Sequence, residues 1–181
     1  MINEFRKFVG FKILEYFMLN PTEKTYLQEL AKKLDVSPGS VNNYCNIFEK
    51  DGLIKREKKG NLHIFSTNND NFRVRELKKA IFLNILGELG LEKISDDYTS
   101  IIIYGSHASG DFDERSDIDL LVIGNEDKVN KDLVVKIMKK VGKEIQLNVI
   151  QMIKWEKMKK KDDAFVKSVI KNHVLIKGVE P

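Results

Sequence analysis

Two short stretches carry residues whose types and spacing could do chemistry. Gly105-Ser106 follows the apolar, β-branched run Ser100 to Tyr104, and Asp117-Ile118-Asp119 opens the apolar run Leu120 to Ile123. A glycine after a strand lets backbone amides approach a phosphate closely, and the helix start that follows favours an anion. Ser106 adds a hydroxyl donor for a triphosphate. Two aspartates two residues apart on a strand project to the same face. Such a pair can hold Mg²⁺ that bridges phosphate oxygens. Ile118 and Leu120 then face the other way and pack beneath. Either motif alone is ordinary: Gly-Ser is commonly a turn, and Asp-x-Asp a solvated strand face. Their order and their flanking strands set this pair apart.

The stretch Ile101-Ile-Ile-Tyr-Gly-Ser-His-Ala-Ser-Gly110, followed by Ser116-Asp-Ile-Asp-Leu-Leu-Val-Ile123, resembles the minimal nucleotidyltransferases of the DNA polymerase beta superfamily. The resemblance spans about residues 90–181. It implies nucleotide binding by Gly105 and Ser106, and metal binding and catalysis by Asp117 and Asp119. Two departures stand against full activity. Active members place a third carboxylate on a following strand, between two apolar residues. Here Gln146 occupies that place, between Ile145 and Leu147, with Asn148 one pleat on and Glu144 at the strand entrance. That carboxylate helps hold the metal ion that activates the attacking oxygen, and an amide does so poorly. Ser109 stands where many members carry arginine. His107, inside the loop, is either a contact to the nucleotide or, as a lone loop histidine more often is, a surface residue.

Around these motifs the pattern predicts strands over 100–104, 118–123 and 144–150, and a last short strand over 174–176. Helices are expected over 129–141, 153–159 and 163–171. Trp155, Phe165 and Val169 resemble the closing helices of winged-helix proteins fused to this domain. Such fusions often carry an amide where Gln146 sits. The lysines of 157–161 read as a solvated helix end.

The first third of the chain has a different character. Phe5, Phe8, Val9, Ile13, Phe17 and Met18 recur at helical spacing, and Asn20-Pro21 stops that helix. A short extended piece, Thr25-Tyr26-Leu27, precedes a helix to Leu34. Ser37 suits an N-cap and Pro38 the first helical position of the next helix. That helix runs to about Lys50, with Val41, Cys45 and Phe48 inward. Residues 53–58 and 62–66 read as a hairpin about Lys59-Gly60-Asn61. This order resembles the winged helix-turn-helix of transcription regulators. The resemblance implies a recognition helix that presents Ser37, Ser40, Asn42, Asn43 and Asn46 to base edges, asparagine pairing bidentately with adenine. It also implies a wing that offers Lys55, Arg56, Lys58 and Lys59 to phosphates. Tyr44 either stacks on sugar or packs internally.

The expected fold is therefore α+β. Residues 1–68 form the winged helix, 69–89 a linking helix, and 90–181 a nucleotidyltransferase-like mixed sheet flanked by helices. A net charge of +4 over 181 residues permits nucleic-acid binding without arguing for it. One cysteine, Cys45, excludes an internal disulfide and a cysteine metal cluster. No signal peptide or membrane-length apolar run is visible, so a cytoplasmic protein is expected. Three functions compete. The first is a DNA-binding regulator, as a homodimer on paired half-sites, with a domain that senses or retains an NTP. The second is an active enzyme moving NMP from NTP to a protein, nucleic acid or small hydroxyl acceptor. The third is an antitoxin-like partner of a helical protein.

Overall fold

The computed structural model describes residues 2–181 and divides into two compact units, one ending at Asn84 and the other spanning Ile85–Pro181. Helix α5 (Phe72–Glu88) contains the boundary. Among the described residues no helix is long and apolar enough to cross a membrane.

The first unit begins with α1 (Ile2–Phe5) and α2 (Val9–Leu19). The single helix expected there is interrupted. Phe8 is extended and serves as the N-cap of α2. Arg6, in the break, grips the buried Glu15 of α2 through Nε and Nη2, at 2.9 and 2.7 Å. Phe5 and Phe8 consequently lie exposed, while Ile13, Phe17 and Met18 form core as expected. Strand β1 (Lys24–Tyr26) leads into α3 (Leu27–Leu34), so Leu27 starts the helix rather than ending the strand. Helix α4 (Pro38–Lys50) follows, with the Ser37 hydroxyl accepting from the Ser40 amide at 3.1 Å and Pro38 at the first helical position. Val41, Cys45 and Phe48 are buried. Burial pushes the Cys45 thiol up to about 12, as befits a small core residue. Tyr44 packs internally: a β-carbon on Gly10 of α2 would lie 2.4 Å from its ring, so glycine is what admits the contact. The hairpin pairs β2 (Ile54–Lys59) with β3 (Leu62–Thr67), and β1 joins on the other side of β3. Gly60 turns the hairpin with φ +60°.

The second unit is a mixed four-stranded sheet in the order β6-β5-β4-β7. Strand β4 (Tyr98–Tyr104) is antiparallel to both β5 (Ile118–Gly124) and β7 (His173–Gly178), while β5 and β6 (Ile145–Ile150) are parallel. The short α6 (Gly105–Ser109) follows β4, and α7 (Lys131–Val141), capped by Asn130, makes the crossover from β5 to β6. Helices α8 (Met152–Lys160) and α9 (Ala164–Lys171) return the chain to β7. One face of the sheet carries Ile102, Leu121, Ile123 and Ile150, packed with Trp155, Val166 and Val169 from α8 and α9. Trp155 and Val169 are fully buried. Full burial of side chains of this size stabilises by about 2 kcal/mol each. The site lies at one end of this helix-covered face. The α+β class expected from the sequence is the observed one.

Candidate nucleotide site and nucleic-acid interface

The site forms where the end of β4 meets the start of β5. Tyr104 pairs with Asp119, and Asp119 with Gln146, so the three share one row across adjacent strands. Asp117 lies one residue ahead of β5. The Gln146 amide nitrogen donates to Asp117 Oδ2 at 3.3 Å. Asn148, on the same face of β6, donates to the Tyr104 hydroxyl at 2.8 Å. Ile118 and Leu120 are buried on the other side of β5.

Gly105 has φ +69°, and a β-carbon there would lie 2.2 Å from Asp119 Oδ2. The aspartate thus occupies the space that any side chain at 105 would take. Burial, then the Asp117 charge, holds the Asp119 carboxyl above its ordinary range. Burial, then Asp119, likewise raises the Tyr104 phenol, against the Asn148 hydrogen bond. Two carboxylates repelling one another on one face suit a divalent cation, which would relieve that repulsion. Among the described residues no group of three or more His, Cys, Asp or Glu is placed to hold a metal ion. The complement here is therefore two acids and one amide.

The loop after Gly105 is internally bonded. Ser106 is half-buried in the first turn of α6, and its carbonyl accepts from Ser109 Oγ at 3.1 Å and the Asp111 amide at 3.0 Å. Ser109 therefore closes the turn. His107, expected at the surface, is buried and stacked on Phe112 with ring centroids 4.4 Å apart and planes 8° from parallel. The short helix turns it inward, and the ring gains apolar burial. Asn172, between α9 and β7, donates to the Gly105 carbonyl at 3.3 Å. Phe165 of α9 meets the Tyr104 ring edge-on, centroids 5.5 Å apart. The 157–161 lysines are exposed.

Sequence reasoning missed Lys143. Its ammonium donates to the carbonyls of Asp113 at 2.7 Å, Glu114 at 2.9 Å and Ser116 at 3.2 Å, in the loop that enters β5. Burial lowers its pKa, while Asp113, Glu114 and Asp117 pull it back up. No local pattern marks one lysine in a chain with 31 Lys and Arg.

In the first unit, Asn42, Asn43 and Asn46 are exposed on α4. Ser37 and Ser40 sit at its N-terminus, their hydroxyls 2.9 Å apart. The basic residues of β2 divide between its two faces by strand alternation. Arg56 turns toward α4: it pairs with Glu49 at 2.6 Å, bonds the Asn46 side-chain oxygen and lies over the Phe65 ring at 5.1 Å. Lys55 pairs with Asp70 at 2.5 Å, on the other face. Lys58 and Lys59 are exposed toward the tip.

An Asp-x-Asp pair against a strand-terminal Gly-Ser, on a mixed sheet backed by helices, defines a nucleotidyltransferase-type domain. A helix-turn-helix with a β-hairpin wing precedes it. The chain belongs to the family described as the nucleotidyltransferase domain, whose model matches residues 81–176. Residues 10–55 match the winged helix-turn-helix DNA-binding family. Among solved structures, a toxin–antitoxin with AMP-PNP is similar at 17% identity, over 54% of this chain and 74% of that one, with a TM-score of 0.38. A Sulfolobus solfataricus protein provisionally assigned as a nucleotidyltransferase is similar at 24% identity, over 62% of this chain and 88% of that one, with a TM-score of 0.29. No protein of curated function matches the chain.

Proposed function

We propose that this protein is a DNA-binding transcription regulator, acting as a homodimer, whose second domain holds a Mg²⁺-nucleotide and transfers it poorly or not at all. The observation that carries this reading is the Gln146 amide on Asp117 at 3.3 Å. It occupies the place of the third carboxylate, and an amide neither binds a hard cation strongly nor accepts a nucleophile's proton. Asp117 and Asp119 would hold the ion, which would supply positive charge to offset that of the phosphates. Gly105 leaves room for the Asp119 carboxylate beside the turn, and Ser106 offers a hydroxyl to phosphate at the same turn. The winged helix supports the DNA-binding half of the proposal. Asn42, Asn43 and Asn46 would read bases, with Ser37 and Ser40 at the end of the helix. Lys58 and Lys59 would meet phosphates.

The intact Gly-Ser and Asp-x-Asp motifs favour active NMP transfer as the second reading. ATP labelled on its α-phosphate, with Mg²⁺ or Mn²⁺ and protein, nucleic-acid and small hydroxyl acceptors, separates the two. The expected result is metal-dependent nucleotide binding with no transferred label. Transfer that disappears in Asp117→Asn would establish the enzyme instead.

A further inference from the structure

Both peptide units that flank Asp117 are held from outside their own segment. The carbonyl before it, on Ser116, accepts from Lys143 Nζ at 3.2 Å. The amide after it, on Ile118, donates to the Glu144 carbonyl at 2.8 Å. Two consecutive residues at the entrance of β6 thus fix the backbone on either side of one aspartate. Gln146, two residues on, reaches its carboxylate.

Lys143 is placed for this by the end of α7. Gly142 closes that helix with φ +67°, its amide bonded to the Met138 carbonyl. The lysine stem then lies half-buried along the loop. An ammonium has three protons, and here three carbonyls receive them, those of Asp113, Glu114 and Ser116. The loop adds its own brace: Ser116 Oγ donates to Asp113 Oδ1 at 2.9 Å, and the Arg115 amide donates to the same oxygen at 2.9 Å. That brace shapes the turn without tying it to β6. Lys143 supplies the tie.

We propose that Lys143 is a positioning residue for cation binding, gripping the 113–116 loop so that Asp117 presents its carboxylate beside Asp119. This rests on the Mg²⁺-nucleotide reading above. Outer residues that orient metal ligands typically alter affinity by about tenfold or more when removed.

The test uses the full chain with AMP-PNP, titrated with Mg²⁺, in wild type, Lys143→Met and Lys143→Arg. Binding of AMP-PNP without metal, DNA affinity and the thermal midpoint are measured beside it. Lys143→Met is expected to raise the half-saturating Mg²⁺ concentration by about tenfold and to leave metal-free nucleotide binding and DNA affinity unchanged. Lys143→Arg keeps a cation with several donors and is expected to fall between the two. A merely structural role would instead weaken metal-free and metal-dependent binding alike, with a lower midpoint, and would overturn the proposal. Should Lys143→Met fail to fold, Lys143→Gln, which retains one donor group, replaces it with the same expected direction. Unchanged Mg²⁺ dependence in these variants overturns the positioning role and leaves the nucleotide reading intact. No Mg²⁺-dependent binding in wild type overturns both.

Discussion

At Asp119, the proposed cation binding and the stability of the fold pull in opposite directions. Burial and then the Asp117 charge raise its pKa, so folding disfavours its ionised form. That cost is absent below the unfolded value, about 3.9, and is fully present once pH exceeds the raised folded value. Asp119→Asn should therefore raise the metal-free thermal midpoint at pH 7.5, by about 2 °C, and the gain should fade toward pH 3. A midpoint below wild type at pH 7.5 would show that the carboxylate stabilises the fold. The Asp-x-Asp and Gly-Ser motifs were legible because both lie within a few residues of apolar runs that betray their strands. The contacts of Gln146, Asn148 and Lys143 were not. Those of Gln146 and Lys143 depend on the parallel pairing of β5 with β6, which brings residues nearly 30 positions apart together, and that of Asn148 spans 44 positions to Tyr104 on β4; none leaves a local signature. His107 was misread because stacking on Phe112, five residues on, follows from the turn and not from periodicity.

Among the elements, the winged helix was the most legible. The Ser37-Pro38 cap and the Gly60-Asn61 turn are local chemistry, and both stand where the residues placed them. The interrupted first helix was hidden because Phe5, Phe8 and Val9 continue the apolar spacing while the Arg6–Glu15 pair folds the chain at the break. The hairpin's cations are likewise not equivalent. Arg56 is tied to Glu49, Asn46 and Phe65 and fastens β2 to α4. Lys58 is exposed. Arg56→Ala should cost about 1 kcal/mol of stability and leave the salt dependence of DNA binding unchanged. Lys58→Ala should leave stability within about 0.5 kcal/mol and lower the slope of log affinity against log salt by about 1. Equal loss of slope in the two variants would place Arg56 on phosphate as well.

For the whole molecule, a regulator reading paired half-sites needs two copies. Sedimentation equilibrium of the DNA-bound protein should return two chains of 20.9 kDa per site; a single chain on a full site would end the homodimer proposal. The Gln146 amide has a consequence at this scale too. Glutamine and glutamate codons differ in their first base alone, so a single-nucleotide change would set a carboxylate beside Asp117 and Asp119 without touching the winged helix. In any lineage of this chain, the genetic distance between a site with two acids and one with three is as short as mutation allows. Mutational inaccessibility cannot be what keeps an amide at that position.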